Sequence, residues 1–147
     1  MSIDVKVKDK IFKPIEDVFN AVVNPEKLSG YFVSKSSGPI ENGASLTWFF
    51  NGEDIIVTVK ILAVVKNELI RFEWEASGSK AQVDIEFNRK DNDATVVVIT
   101  EKSFPFDKAG VAKALQQTQG WTDFICSLKA YLYCGINLRN GTSKGSI

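Results

Sequence analysis

Between Ser45 and Lys102, apolar and polar residues alternate in five successive runs, separated by short turn-forming clusters. A period of two sends alternate side chains to opposite faces of a strand. Strands linked by only a few residues must pair antiparallel, since a parallel return needs a crossover of a dozen residues or more. The segment is therefore predicted to be an antiparallel meander. Leu46, Trp48 and Phe50 alternate with Ser45, Thr47 and Phe49, and Asn51-Gly52 follows, a dipeptide that accepts positive φ at both positions of a hairpin turn. The return run is 54–65, turning at Lys66-Asn67. In 69–76, Ile70, Phe72 and Trp74 oppose Arg71, Glu73 and Glu75, ahead of a Ser77-Gly78-Ser79 turn. Residues 80–89 set Ala81, Val83, Ile85 and Phe87 against Gln82, Asp84, Glu86 and Asn88, and Asp91-Asn92-Asp93 turns the chain again. The last run, 94–102, is apolar on both faces: Val96 and Val98 match Val97 and Ile99, so alternation alone leaves its register open.

Helical signals flank this meander. Residues 3–12 alternate as a first strand, and Pro14 then opens a short helix whose apolar face is Ile15, Val18, Phe19, Val22 and Val23. Asn24 is placed to cap a second short helix that starts at Pro25 and ends at Gly30. Asp107 can cap a long helix reaching about residue 138, with Val111, Leu115, Trp121, Phe124, Ile125, Leu128 and Leu132 on one stripe. Gly110 and Gly120 each weaken that helix by about 1 kcal/mol relative to Ala, and Gly120 beside Trp121 suggests close backbone packing. The expected fold is α+β: a curved antiparallel sheet of about six or seven strands around a long C-terminal helix, with two short helices near the N-terminus. Residues 1–139 form one domain in this reading, and the small polar residues 140–147 form a flexible tail.

Composition excludes several functions. Lys and Arg number 18, Asp and Glu 18, and the zero net charge offers no footprint for nucleic acid or an anionic membrane. Lys6, Lys8 and Lys10 alternate with Val5, Val7 and Asp9 and read as a solvated strand face. No apolar run approaches the roughly 20 residues of a membrane-spanning helix, and the N-terminus does not resemble a secretory signal, so a cytoplasmic location is expected. Without histidine there is neither a Ser-His-Asp nor a Cys-His arrangement, nor a His-based metal site. Asp91, Asn92 and Asp93 begin like a calcium loop but lack its later Gly and Glu. Cys126 and Cys134 lie roughly 12 Å apart along the predicted helix, too far for a disulfide. Both are expected to be half-buried packing residues. No cofactor, metal or catalytic residue is predicted.

Three segments carry a family resemblance. They are Phe12-Lys13-Pro14-Ile15-Glu16-Asp17-Val18-Phe19 with Asn24-Pro25-Glu26-Lys27-Leu28; then Leu69-Ile70-Arg71-Phe72-Glu73-Trp74; and Gly120-Trp121-Thr122-Asp123-Phe124 with Leu128-Lys129-Ala130-Tyr131-Leu132. Together with the element order they resemble the activator of heat-shock protein 90 ATPase homologues, within the START and birch-pollen-allergen-like (SRPBCC) helix-grip superfamily. The resemblance spans about residues 3–139. It implies a sheet and helix enclosing a cavity that often holds an apolar ligand. The family's co-chaperones depend largely on a separate N-terminal domain for stimulation, and 147 residues leave no room for one, so the resemblance is to their C-terminal domain.

The aromatic side chains are the candidate cavity lining. Trp48, Phe50, Phe72, Trp74, Phe87, Trp121 and Phe124, with Ile99, fall on the predicted inner face; they either fill the core or leave a pocket. Glu101 follows Val97 and Ile99 at strand spacing. Either it points inward, to anchor a ligand hydroxyl or amine or donate a proton, or the strand ends near 100 and it meets water. Tyr31 and Phe32 are placed as a lid over the cavity or as a cap on the core. The favoured function is binding of a small hydrophobic or amphipathic ligand by a monomer or homodimer. The alternatives are a co-chaperone-like interaction module with a chaperone partner, or a cyclase- or isomerase-type cavity enzyme.

Overall fold

The computed structural model describes residues 1–139; the predicted tail, 140–147, lies outside the described residues. Seven strands form one antiparallel sheet. They are β1 (Ser2–Ile11), β2 (Lys35–Ser36), β3 (Ser45–Phe50), β4 (Ile55–Val65), β5 (Leu69–Trp74), β6 (Ala81–Asp91) and β7 (Ala94–Pro105), in the spatial order β1-β7-β6-β5-β4-β3-β2. Helices α1 (Ile15–Val23) and α2 (Pro25–Leu28) bridge β1 to β2, and α3 (Lys108–Cys134) packs across the sheet against β1 and β7. This is the α+β helix-grip architecture expected from the alternation. The two-residue β2 had no sequence signal of its own; it pairs Lys35 with Phe49 and Ser36 with Trp48 at the sheet edge.

Local chemistry explains the joints. Asn51 and Gly52 both take positive φ, 56° and 72°, as the hairpin reading required, within a 51–54 loop that closes on the Phe50–Ile55 pair. Asn24 Oδ1 accepts the Glu26 N–H at 3.0 Å and caps α2. The Asp107 side chain accepts the Gly110 N–H at 2.8 Å and caps α3. The helix stops at Cys134, four residues short of the expected end, because Gly135 turns left-handed at φ 66° and its N–H closes on the carbonyls of Ala130 and Tyr131. The chain is thus released early, and Leu138 and Arg139 lie back over the sheet–helix seam.

Packing settles the register that alternation left open. Val97, Ile99 and Glu101 are buried on the inner face, Val96 and Val98 are half-buried on the other, and β7 continues to Pro105. Three expectations about α3 are corrected. Leu115 is 67% exposed, because at about 100° per residue it stands about 220° around the helix from Leu128; Ala114 takes the buried position instead. Cys126 and Cys134 are both exposed rather than half-buried, lying off the face that carries Phe124, Ile125 and Leu128. A Cβ on Gly120 would meet nothing within 4 Å, whereas one on Gly110 would come to 1.8 Å from the Pro105 carbonyl oxygen. The close backbone approach is therefore at Gly110, where α3 leaves the end of β7. No helix among the described residues is long and apolar enough to cross a membrane.

Candidate functional site

The aromatic residues form one connected interior. Trp48 meets Phe72 edge-on at 5.4 Å between centroids and Trp74 at 6.0 Å; Phe72 meets Trp74 at 5.3 Å. From the helix side, Trp121 lies 5.4 Å from Trp74 and 5.3 Å from Phe124. Aromatic contacts at these separations add about 0.5–1.5 kcal/mol each beyond burial, and the Trp74–Trp121 contact, tilted at 31°, ties β5 to α3. Phe87 packs against Phe19 of α1 at 5.2 Å, at the other end of the sheet. Ile99, paired between Val7 and Ile85, is fully buried.

Glu101 sits within this apolar interior at 0% exposure. Its Oε1 accepts Trp121 Nε1 at 2.8 Å and Gln117 Nε2 at 3.0 Å, and its Oε2 accepts Trp74 Nε1 at 3.0 Å. Three donors and no acceptor face it, the pattern a carboxylate presents, and no lysine or arginine pairs with it among the described residues. Strand alternation places Glu101 beneath the two indoles, and Gln117 reaches it from one turn before Trp121 on α3. In contrast, Trp48 Nε1 is buried without a partner among the described residues. Glu101 therefore holds two of the three tryptophans in fixed orientation.

Above these rings runs a groove of about 1100 Å³, open to solvent. The β3–β4 hairpin, the end of β5, the middle of α3 and the segment after α3 bound it. Of the residues singled out from sequence, Phe32, Phe50, Trp74 and Trp121 line it; Trp48, Phe72, Phe87, Ile99, Glu101, Phe124 and Tyr31 lie outside its lining. Tyr31 is fully buried, donates its hydroxyl to the Ala21 carbonyl at 3.0 Å, and packs on Phe124 and Tyr131. Burial holds its phenol pKa well above the ordinary 10.0, with the nearby Tyr131 adding to the shift. It caps the core by tying α1 to α3.

Sequence reading missed Gln117, Asp123 and Arg139. Gln117 carried a legible signal, standing four residues before Trp121 on the same helical face. Arg139 carried none, since its place depends on the turn at Gly135. Its guanidinium carbon lies 5.3 Å from the Phe32 ring centroid, and Nη2 donates to Asp123 Oδ2 at 2.7 Å. Arg139 Nε is buried without a partner among the described residues.

Solved structures share the fold. The Staphylococcus saprophyticus protein SSP2350 is 35% identical, with a TM-score of 0.81, 93% of this chain and 96% of that chain being covered. The Aha1 dimer from Colwellia psychrerythraea is 18% identical, with a TM-score of 0.76 over 90% of this chain and 98% of that one. An HSP90 activator from Plasmodium falciparum, 18% identical, gives 0.69 over 90% and 96%. At 18% identity the last two show the fold alone. No curated protein matches the chain. The family model described as activator of Hsp90 ATPase homolog 1-like protein matches residues 13–133, and with the helix-grip fold this places the chain in that family.

Proposed function

We propose that the protein binds a small hydrophobic or amphipathic molecule in the groove between the β3–β4 hairpin and α3. One observation carries this reading: a depression stays open between the hairpin and α3, against an aromatic interior whose Phe32, Trp74 and Trp121 are themselves buried. A groove of about 1100 Å³ remains, floored by Phe32, Phe50, Trp74 and Trp121. Its lining pairs this apolar floor with a few polar groups along the α3 rim, the combination usual in small-molecule sites. Apolar contact would supply about 25 cal/mol per Å² buried. Glu101 contributes indirectly, by fixing the rings that a ligand would touch.

Native mass spectrometry of the purified protein, followed by denaturing extraction, tests the reading. A bound molecule released with an apolar body is the expected result. Bare protein whose tryptophan fluorescence also fails to respond to added amphiphiles would refute it. The family's description favours a second reading, a co-chaperone-like module. Recovery of a chaperone in a pull-down from the native host is its expected outcome, and a pull-down without one removes it.

A further inference from the structure

The groove has a polarity of its own. Beside its aromatic floor and aliphatic residues such as Ile55, Val57 and Leu138, its polar lining includes the amide and hydroxyl groups of Gln116, Gln117, Gln119 and Thr122, and its charges are one pair, Asp123 and Arg139. These two charges compensate each other. Behind the floor, Glu101 adds a carboxylate without a paired cation, hydrogen-bonded to the N–H edges of Trp74 and Trp121. The charges of the lining therefore cancel, and the acidic group behind the floor, already held by three donors, offers no attraction to an anionic headgroup.

The protein also shows where a cation rests in it. The Arg139 guanidinium lies over Phe32 at 5.3 Å and is paired with Asp123 at 2.7 Å. Phe32 is itself surrounded by Trp48, Phe50, Trp121 and Phe124. An aromatic face with a carboxylate at its edge is the arrangement that attracts organic cations. Arg139 reaches it from the last described turn of the chain, five residues beyond the end of α3, and not from the rigid sheet–helix frame.

We propose that the groove selects a hydrophobic cation, an amine with an apolar body, whose ammonium takes the place of the Arg139 guanidinium over Phe32 and against Asp123. Arg139 then acts as a built-in competitor that a ligand must displace. The inference rests on the ligand-binding reading above and names the chemical class that the groove prefers.

Decylamine (protonated at pH 7), decanol and decanoate, titrated below their aggregation limits, test it by calorimetry and tryptophan fluorescence. Decylammonium is expected to bind about tenfold tighter than decanoate, a difference of about 1.4 kcal/mol. Arg139→Ala should tighten decylammonium several-fold more than decanol, and Asp123→Asn should weaken decylammonium alone. Asp123 is exposed and Arg139 half-buried, so neither side chain is itself part of the core. Decanoate binding as tightly as decylammonium overturns the inference, as does an Arg139→Ala variant that weakens decylammonium, leaves it unchanged, or tightens all three probes equally. Decanol binding without cation preference rejects the inference and leaves the ligand-binding reading standing; no binding by any of the three probes rejects both.

Discussion

Replacing Glu101 with Gln tests whether this carboxylate organises the interior. The amide can set its oxygen at the Oε1 position and keep the bonds from Trp121 and Gln117, but its NH2 then faces the Trp74 N–H. Two buried donors are left opposed, each costing about 1–3 kcal/mol. The reverse rotamer keeps one bond and opposes the amide to two donors, which is worse. Removing a buried charge returns part of this, so a net loss of about 2 kcal/mol is expected. With an urea slope of about 1–3 kcal/mol per M, the midpoint should fall by roughly 1 M, followed by fluorescence of the tryptophans that surround the site. A double-mutant cycle isolates the mechanism. In a Trp74→Phe background the opposing N–H is gone, and Glu101→Gln should cost at least about 1 kcal/mol less than in the wild type. Equal costs in the two backgrounds would refute the donor-opposition argument, whatever the absolute stabilities.

Two further predictions follow from packing and charge. Gly120→Ala enters open space on α3 and should stabilise by about 1 kcal/mol. Gly110→Ala drives a Cβ into the Pro105 carbonyl and should cost about 1–3 kcal/mol; a thermal midpoint that rises for Gly110→Ala or falls for Gly120→Ala would contradict that position's assignment. The bidentate hydrogen bonds from Arg71 hold the Asp84 carboxyl below its ordinary 3.8, and a hydrogen bond from Lys129 lowers Asp9 likewise. A lowered folded-state value contributes stability that is full above the unfolded value and lost as pH falls through the folded one. The stability gap between wild type and Asp84→Asn should therefore be constant near neutrality and shrink below about pH 4; a gap unchanged in acid would remove the pair from the stability account.

Much of the fold was legible because its determinants are local. Period-two alternation over 45–102, the positive-φ dipeptide Asn51-Gly52 and the caps at Asn24 and Asp107 act over a few residues, and each appears where those residues place it. The inner-face set Phe72, Trp74, Trp121 and Phe124 followed from periodicity, since a strand or helix shows its buried face in its own repeat. Leu115 failed because an apolar residue near a helical stripe is not necessarily on it, and only the angle accumulated along α3 decides.

The sequence by itself determined the element types, their order and the apolar character of the interior. Tertiary structure decided the register of β7, and with it that Glu101 is buried under two indoles rather than left in water. It also decided that Gly110, not Gly120, is where backbones meet, and that the chain past Gly135 returns to lay Arg139 over Phe32. These are contacts between residues from 5 to 107 positions apart in the chain. No local repeat encodes them, because each depends on how separately formed elements dock.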